Sequence, residues 1–227
     1  MSLHTSLDFT LLILPNVHAA VGIELLSEAQ RSGWSGEIVR LSHAPVPAKE
    51  IRFWQPYREY TVDSRWGPVQ ATLFGLCLCL GPRVFLASGG IAISAHLVSS
   101  MLEAAKRQQA NILIASRFAS GGHPPYPFHR LILSHIFRAA SRLAIARGVS
   151  DPRSGLKLFS RNHLLWVLRC IQGRSTDLHL LPLAYLRGTS IAEVPAPTEM
   201  GDIRFPLSFR VLMNAVVDLV SAIRLKT

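Results

Sequence analysis

Short apolar runs alternate with segments of helical spacing over the first half of this chain. That alternation restricts the fold most. Phe9–Pro15 is apolar and ends in proline, the habit of a buried parallel strand. Val21–Arg31 follows with helical spacing at Ile23, Leu26 and Ala29, stopped by Ser32-Gly33. Glu37–Leu41, Val84–Ala87 and Asn111–Ala115 read as further strands. Val69–Leu80 and His96–Gln108 read as helices between them. Residues 42–68, with Pro45, Pro47, Pro56 and Pro68, read as irregular. Strands that alternate with helices predict an α/β fold: a mostly parallel sheet with helices on both faces. In such a sheet, ligands bind beyond the carboxyl ends of the strands. The loops after Leu14, Leu41, Ala87 and Ala115 are therefore the expected site.

After Ala115 the pattern changes. A loop rich in Gly and Pro leads into a helix expected over roughly 128–147. Asp151–Arg161 reads as a turn and a short strand, Ser175–Arg187 as a helix, and Ser190–Val194 as the last strand. No Asp or Glu occurs between Glu103 and Asp151, while Lys106, Arg107, Arg117, Arg130, Arg138, Arg142 and Arg147 fall in that window. A basic Gly-rich loop followed by a basic amphipathic helix suits a phosphate at an anionic membrane surface. The whole chain agrees in sign, with 24 Lys+Arg against 14 Asp+Glu and a net charge of +10. Nucleic acid is the less favoured anion, because only 8% of residues are aromatic and no base-stacking platform stands out.

The 227 residues fit one domain with a full core, and 49% hydrophobic residues exclude disorder. Cys77, Cys79 and Cys170 make no disulfide framework and read as reduced, cytosolic thiols. Leu11–Leu14, preceded by Asp8, reads as a strand rather than a signal peptide. The apolar run Pro206–Leu225 is interrupted by Arg210 and Asp218, so a spanning segment is not expected. It reads as an interfacial or core helix.

Several ordered motifs carry a resemblance. They are Ser116-Arg117-Phe118, Gly121-Gly122, Phe128-His129-Arg130 with Ser134, the run Asp151-Pro152-Arg153-Ser154-Gly155-Leu156, and Ile191-Ala192-Glu193-Val194-Pro195. In that order the chain resembles the family 2 glycosyltransferases of GT-A fold, closest to dolichyl-phosphate mannose synthases. The resemblance implies sugar transfer from a nucleotide sugar to a polyprenyl (dolichyl) phosphate, at the cytoplasmic face of a membrane. It places acceptor-phosphate contacts on Arg117, Arg130, Ser134 and Arg204. It places a sugar or acceptor loop on Gly121, Gly122, Asp151, Ser154 and Gly155. It divides the chain into a nucleotide-sugar half (1–115), an acceptor half (116–205) and a C-terminal amphipathic helix (206–227).

The donor half departs from that family. Its first-strand acid is replaced in Pro15-Asn16-Val17-His18, and its second-strand acids in Leu41-Ser42-His43. The family's D-x-D, which holds Mg²⁺ or Mn²⁺, aligns with Ser88-Gly89-Gly90, and an assisting position holds Ala92. Hard cations require oxygen ligands, above all carboxylates. No cofactor is therefore expected. Two readings stay open: a transferase with an altered or inactive donor site, or a non-catalytic lipid-phosphate-binding partner of an intact homologue or membrane subunit. A third, an RNA-associated protein, leaves the ordered motifs unexplained. Asp151 also has a structural reading, as a turn residue before Pro152. Glu193 and His43 show no partner in sequence.

Overall fold

The computed structural model describes residues 7–15, 23–43, 57–88, 93–120, 148–152, 154–170 and 188–196. The expected helices over 128–147, 175–187 and 206–227 lie outside them. So do Gly89, Gly90, Ala92, Gly121, Gly122, Arg130, Ser134 and Arg204.

The described residues form one sheet of seven strands, flanked by four helices. In chain order these are β1 Phe9–Ile13, α1 Ile23–Arg31, β2 Gly36–Ser42, β3 Tyr57–Thr61, α2 Pro68–Leu78 and β4 Arg83–Ala87. Then come α3 Ala95–Gln108, β5 Ile112–Ser116, β6 Leu156–Ser160, α4 Arg161–Cys170 and β7 Ile191–Pro195. The strand order is β3-β2-β1-β4-β6-β5-β7. Every pairing is parallel except those of β6, which lies antiparallel between β4 and β5. The predicted α/β fold with a mostly parallel sheet is therefore observed.

Both faces of the sheet are covered, so its inner strands carry apolar residues on both faces rather than at alternate positions, with Thr10, Glu37 and Lys157 as buried exceptions. Leu12, Val39, Leu86 and Ile114 point to the face packed by α2 and α4. Leu11, Ile38, Phe85 and Leu113 point to the face packed by α1 and α3. Helix α3 shows why its segment folds as it does. Ser94 caps it, accepting from the Leu97 N–H at 3.2 Å, and Lys106 and Arg107 sit in the last turn, where the helix dipole favours cations. The Lys106 ammonium also lies 4.1 Å over the Trp34 ring, tying that turn to the approach of β2. No helix among the described residues is long and apolar enough to cross a membrane.

Two elements differ from the sequence expectation. Strand β3 falls inside the stretch expected to be irregular. It is an edge strand whose Tyr-Arg-Glu-Tyr-Thr sequence is half-buried, so it lacks the apolar run that marks its neighbours. Helix α4 follows β6 directly, where no helix was expected. Leu164, Val167 and Leu168 give it a buried stripe at helical spacing.

The amino ends of the strands close around a buried carboxylate. Glu37 is 2% exposed. It accepts from Thr10 Oγ1, the Leu80 N–H and Arg58 Nη2, each at 2.6 Å. Thr10 Oγ1 in turn accepts from the Gly81 N–H at 2.9 Å. Gly81 must be glycine, since a Cβ there would stand 2.4 Å from the Phe9 carbonyl carbon. Beside this cluster, burial and then the Glu37 charge push the Cys79 thiol up to about 12, which keeps it protonated and unreactive at neutral pH. Glu37→Ala would strand three donors and is expected to cost about 2–4 kcal/mol in urea unfolding. A loss below about 1 kcal/mol would show that the network adds little.

Candidate functional site at the carboxyl edge of the sheet

Because β6 runs against its neighbours, the turn that precedes it lies at the carboxyl ends of β4 and β5. This turn is the D-P-R-S-G segment, and it joins three strands. The Ser154 N–H closes it on the Asp151 carbonyl at 3.1 Å. Ser154 Oγ donates to the Ala115 carbonyl at 2.6 Å, at the end of β5. The Ser88 N–H donates to the Gly155 carbonyl at 2.8 Å, at the end of β4. Glu193 of β7 accepts from the Ser150 and Asp151 N–H groups at 2.7 and 2.9 Å.

Asp151 is the centre of this corner. Its side chain is 3% exposed and holds Arg117 by both oxygens, Nε to Oδ2 at 2.7 Å and Nη2 to Oδ1 at 2.7 Å. Oδ2 also accepts the Arg117 backbone N–H at 3.1 Å. A two-pronged Arg–carboxylate pair is geometrically exacting and strong when shielded from water. The structure thus brings together Arg117, Asp151, Ser154, Gly155 and Ser88 from the sequence prediction. It shows the Arg117 guanidinium, expected on a lipid phosphate, engaged with Asp151. Asp151 shapes the turn, and its carboxylate is taken up by Arg117.

The ends of β1, β2 and β3 lie along the same edge. The chain leaves β1 at Leu14, whose N–H donates to the Ala87 carbonyl at 3.0 Å, and leaves β2 at Ser42. Ser42 Oγ and His43 Nδ1 are buried atoms with no hydrogen-bond partner. Such atoms are uncommon in folded proteins and call for a ligand or ordered water. Asp63 follows β3. Its carboxyl is held below its ordinary value by the Arg65 side chain first and the Arg65 N–H next, with a smaller effect from His43. Trp66 in the same loop is 37% exposed and packs edge-on against Phe74 at 5.4 Å.

Ser88 is a poor start for a divalent-cation site. It is followed by two glycines in sequence, and no three His, Cys, Asp or Glu side chains among the described residues are placed to hold a metal ion. Among the described residues, none at the end of β4 supplies the carboxylates that Mg²⁺ or Mn²⁺ would take.

Sequence reasoning did not foresee the contacts made by Glu193, Asp63 and Lys157. Glu193 carried one signal, an acid inside the last strand. Lys157 carried another, a lysine in the middle of the apolar run Leu156–Phe159. Asp63 carried none, because it follows a strand that was not expected.

No protein-family model matches the sequence, and no curated protein does. Solved structures do match. Residues 1–349 of Staphylococcus aureus TarS superpose with a TM-score of 0.50 at 14% identity over 83% of this chain, which spans 58% of that one. A CMP:2-keto-3-deoxy-manno-octonic acid synthetase complexed with CTP gives 0.46 at 9% identity, covering 94% of this chain and 98% of that one. The 2-C-methyl-D-erythritol 4-phosphate cytidylyltransferase of Thermus thermophilus gives 0.45 at 17%, covering 94% and 97%.

The corner predicts strong coupling. In a double-mutant cycle of Asp151→Asn and Arg117→Ala, thermal and urea unfolding should yield a coupling energy of about 1–3 kcal/mol. Additive losses would show that the pair does not act as a unit. What the likeness to TarS and the strand order establish together is the fold: a GT-A-like, Rossmann-type α/β domain.

Proposed function

We propose that this chain is a glycosyltransferase-type domain that takes a nucleotide sugar at the ends of β1, β2 and β4 and a polyprenyl phosphate beside β5, at an anionic membrane surface. The observation that carries this reading is the gathering of Arg117, Asp151, Ser154 and Ser88 at one edge of a GT-A-like sheet. The unpartnered Ser42 Oγ and His43 Nδ1 support the donor half, since a nucleoside would satisfy both. The net charge of +10 supports two anionic ligands and an anionic surface.

The chemistry asks little of the protein. An acceptor phosphate oxygen forms a bond to the anomeric carbon as the bond to the diphosphate oxygen breaks, with inversion. The phosphate is already an anion, so no base need remove a proton. Catalysis would rest on positioning and on charge. Arg117 would serve the acceptor phosphate, with Asp151 fixing the plane of its guanidinium.

A second reading has its own support. The end of β4 lacks the carboxylate pair, which favours a non-catalytic relative that keeps the lipid-phosphate site and serves an intact homologue or membrane subunit.

Incubation with GDP-mannose and a short polyprenyl phosphate, with and without Mn²⁺, tests both readings. Product that falls at least about tenfold in Arg117→Ala, with partial recovery in Arg117→Lys, supports the transferase. Lipid-phosphate binding without product, lost in the same variant, supports the partner. Wild-type protein that binds neither ligand would refute both.

A further inference from the structure

Helix α2 is apolar even on the side it turns to solvent. A surface helix ordinarily buries one stripe and shows water a polar face. Ala71 and Leu76 of α2 are buried against the sheet. On the other side Leu73 is half-buried and Cys77 is exposed. Residues 66–82 contain no charged side chain. The exposed polar residue of this helix, Gln70, folds back to accept the Gly67 N–H at 2.7 Å. Among the described residues, the large apolar side chains that remain exposed are Trp66 (37%) and Leu80 (66%), and they stand at the two ends of α2. Trp66 packs edge-on against Phe74 at 5.4 Å, and Phe74 against Tyr60 at 6.2 Å, so its ring is presented from a packed aromatic cluster. Contiguous exposed apolar surface marks a place of contact.

The sign of this layer selects the occupant. Helices α2 and α4 pack together on one face of the sheet and contain no Asp or Glu, whereas the helices on the opposite face carry Glu28 and Glu103. Helix α4 adds Arg161 and Arg169, and Arg169 is exposed. A second copy docked about a two-fold axis would bring like charge towards like charge. An anionic lipid surface meets no acid here. The 11 residues of α2 span about 16 Å, too short to cross a bilayer but long enough to lie in its interface. We propose that the outer side of α2, from Trp66 to Leu80, is the surface by which this chain docks on an anionic lipid bilayer. Trp66 and Leu80 anchor the two ends at headgroup depth, and α4 supplies positive charge in the same layer. Trp66 lies in the loop after β3, so docking here brings the carboxyl edge of the sheet to the lipid. The inference rests on the membrane-surface reading and names the face that makes the contact.

The test is flotation of the full chain with vesicles of phosphatidylcholine, alone or with about 30% phosphatidylglycerol. Wild type should bind the anionic vesicles at least about tenfold more tightly than the neutral ones. Leu80→Glu and Cys77→Glu should each weaken that binding about tenfold. Gln108→Glu, the same added charge at an exposed position of α3, should stay within about twofold of wild type. Leu80 and Cys77 are exposed, so both variants should melt within about 2 °C of wild type. Vesicles of brominated lipid read the contact without altering the helix. They should quench the tryptophan fluorescence of wild type, and Trp66→Phe should lose most of that quenching. Should a charged variant not fold, the quenching still decides. Anionic-vesicle binding that both Glu variants retain, or quenching that Trp66→Phe retains, overturns the inference and leaves the membrane reading standing. Equal binding to neutral and anionic vesicles overturns the inference too. Binding to neither kind of vesicle overturns both. A wild-type dimer in sedimentation that Leu80→Glu dissociates, with no vesicle binding, makes this side a contact between copies and likewise overturns both.

Discussion

One antiparallel strand inserted into a parallel sheet sets the geometry of this protein. Strand β6 separates β4 from β5 and must start where they end. Its leading turn is therefore delivered to the carboxyl edge of the sheet, and Asp151 is the residue that holds the turn there. The carboxylate takes Arg117 by side chain and backbone, while its own N–H is held by Glu193 of the edge strand. That chain of contacts adds to the ladder pairings that already join the ends of β4, β5 and β7. The cost of burying Asp151 is offset only because both of its oxygens are paired, one of them twice.

The two ends of the sheet are built differently. At the amino end, Glu37 is saturated by Thr10, Arg58 and Leu80, and a required glycine closes the contact. At the carboxyl end, buried Ser42 Oγ and His43 Nδ1 lack partners; at the amino end, Arg161 Nε beside the start of β4 is likewise buried without one.

Much of this was readable in the residues, for physical reasons that also mark where reading stops. Strands β1, β2, β4 and β5 are buried on both faces, so each appears as a short apolar run bounded by turn residues. Strand β3 is an edge strand with Arg58 and Glu59 at its centre, and it resembles loop. The direction of β6 could not be seen, because Leu-Lys-Leu-Phe-Ser pairs equally well either way. The turn motif at Asp151 was legible. Its partner Arg117 stands 34 positions away, and Glu193 stands 42 positions beyond it. Pairings at such separations follow from topology rather than local pattern. His43 and Asp63 were invisible as neighbours, since they meet only once β3 has paired with β2.

Hydrogen exchange with a bound nucleoside diphosphate puts the central claim to the most direct test. If the carboxyl edge is the ligand site, amides of the loops after Leu41, Ala87 and Ala115 and of the turn at 150–155 should exchange about tenfold or more slowly with ligand present. Amides around Glu37, Leu80 and Gly81 should be unchanged. Protection confined to the amino edge, or none at a ligand concentration that saturates binding, would contradict the account.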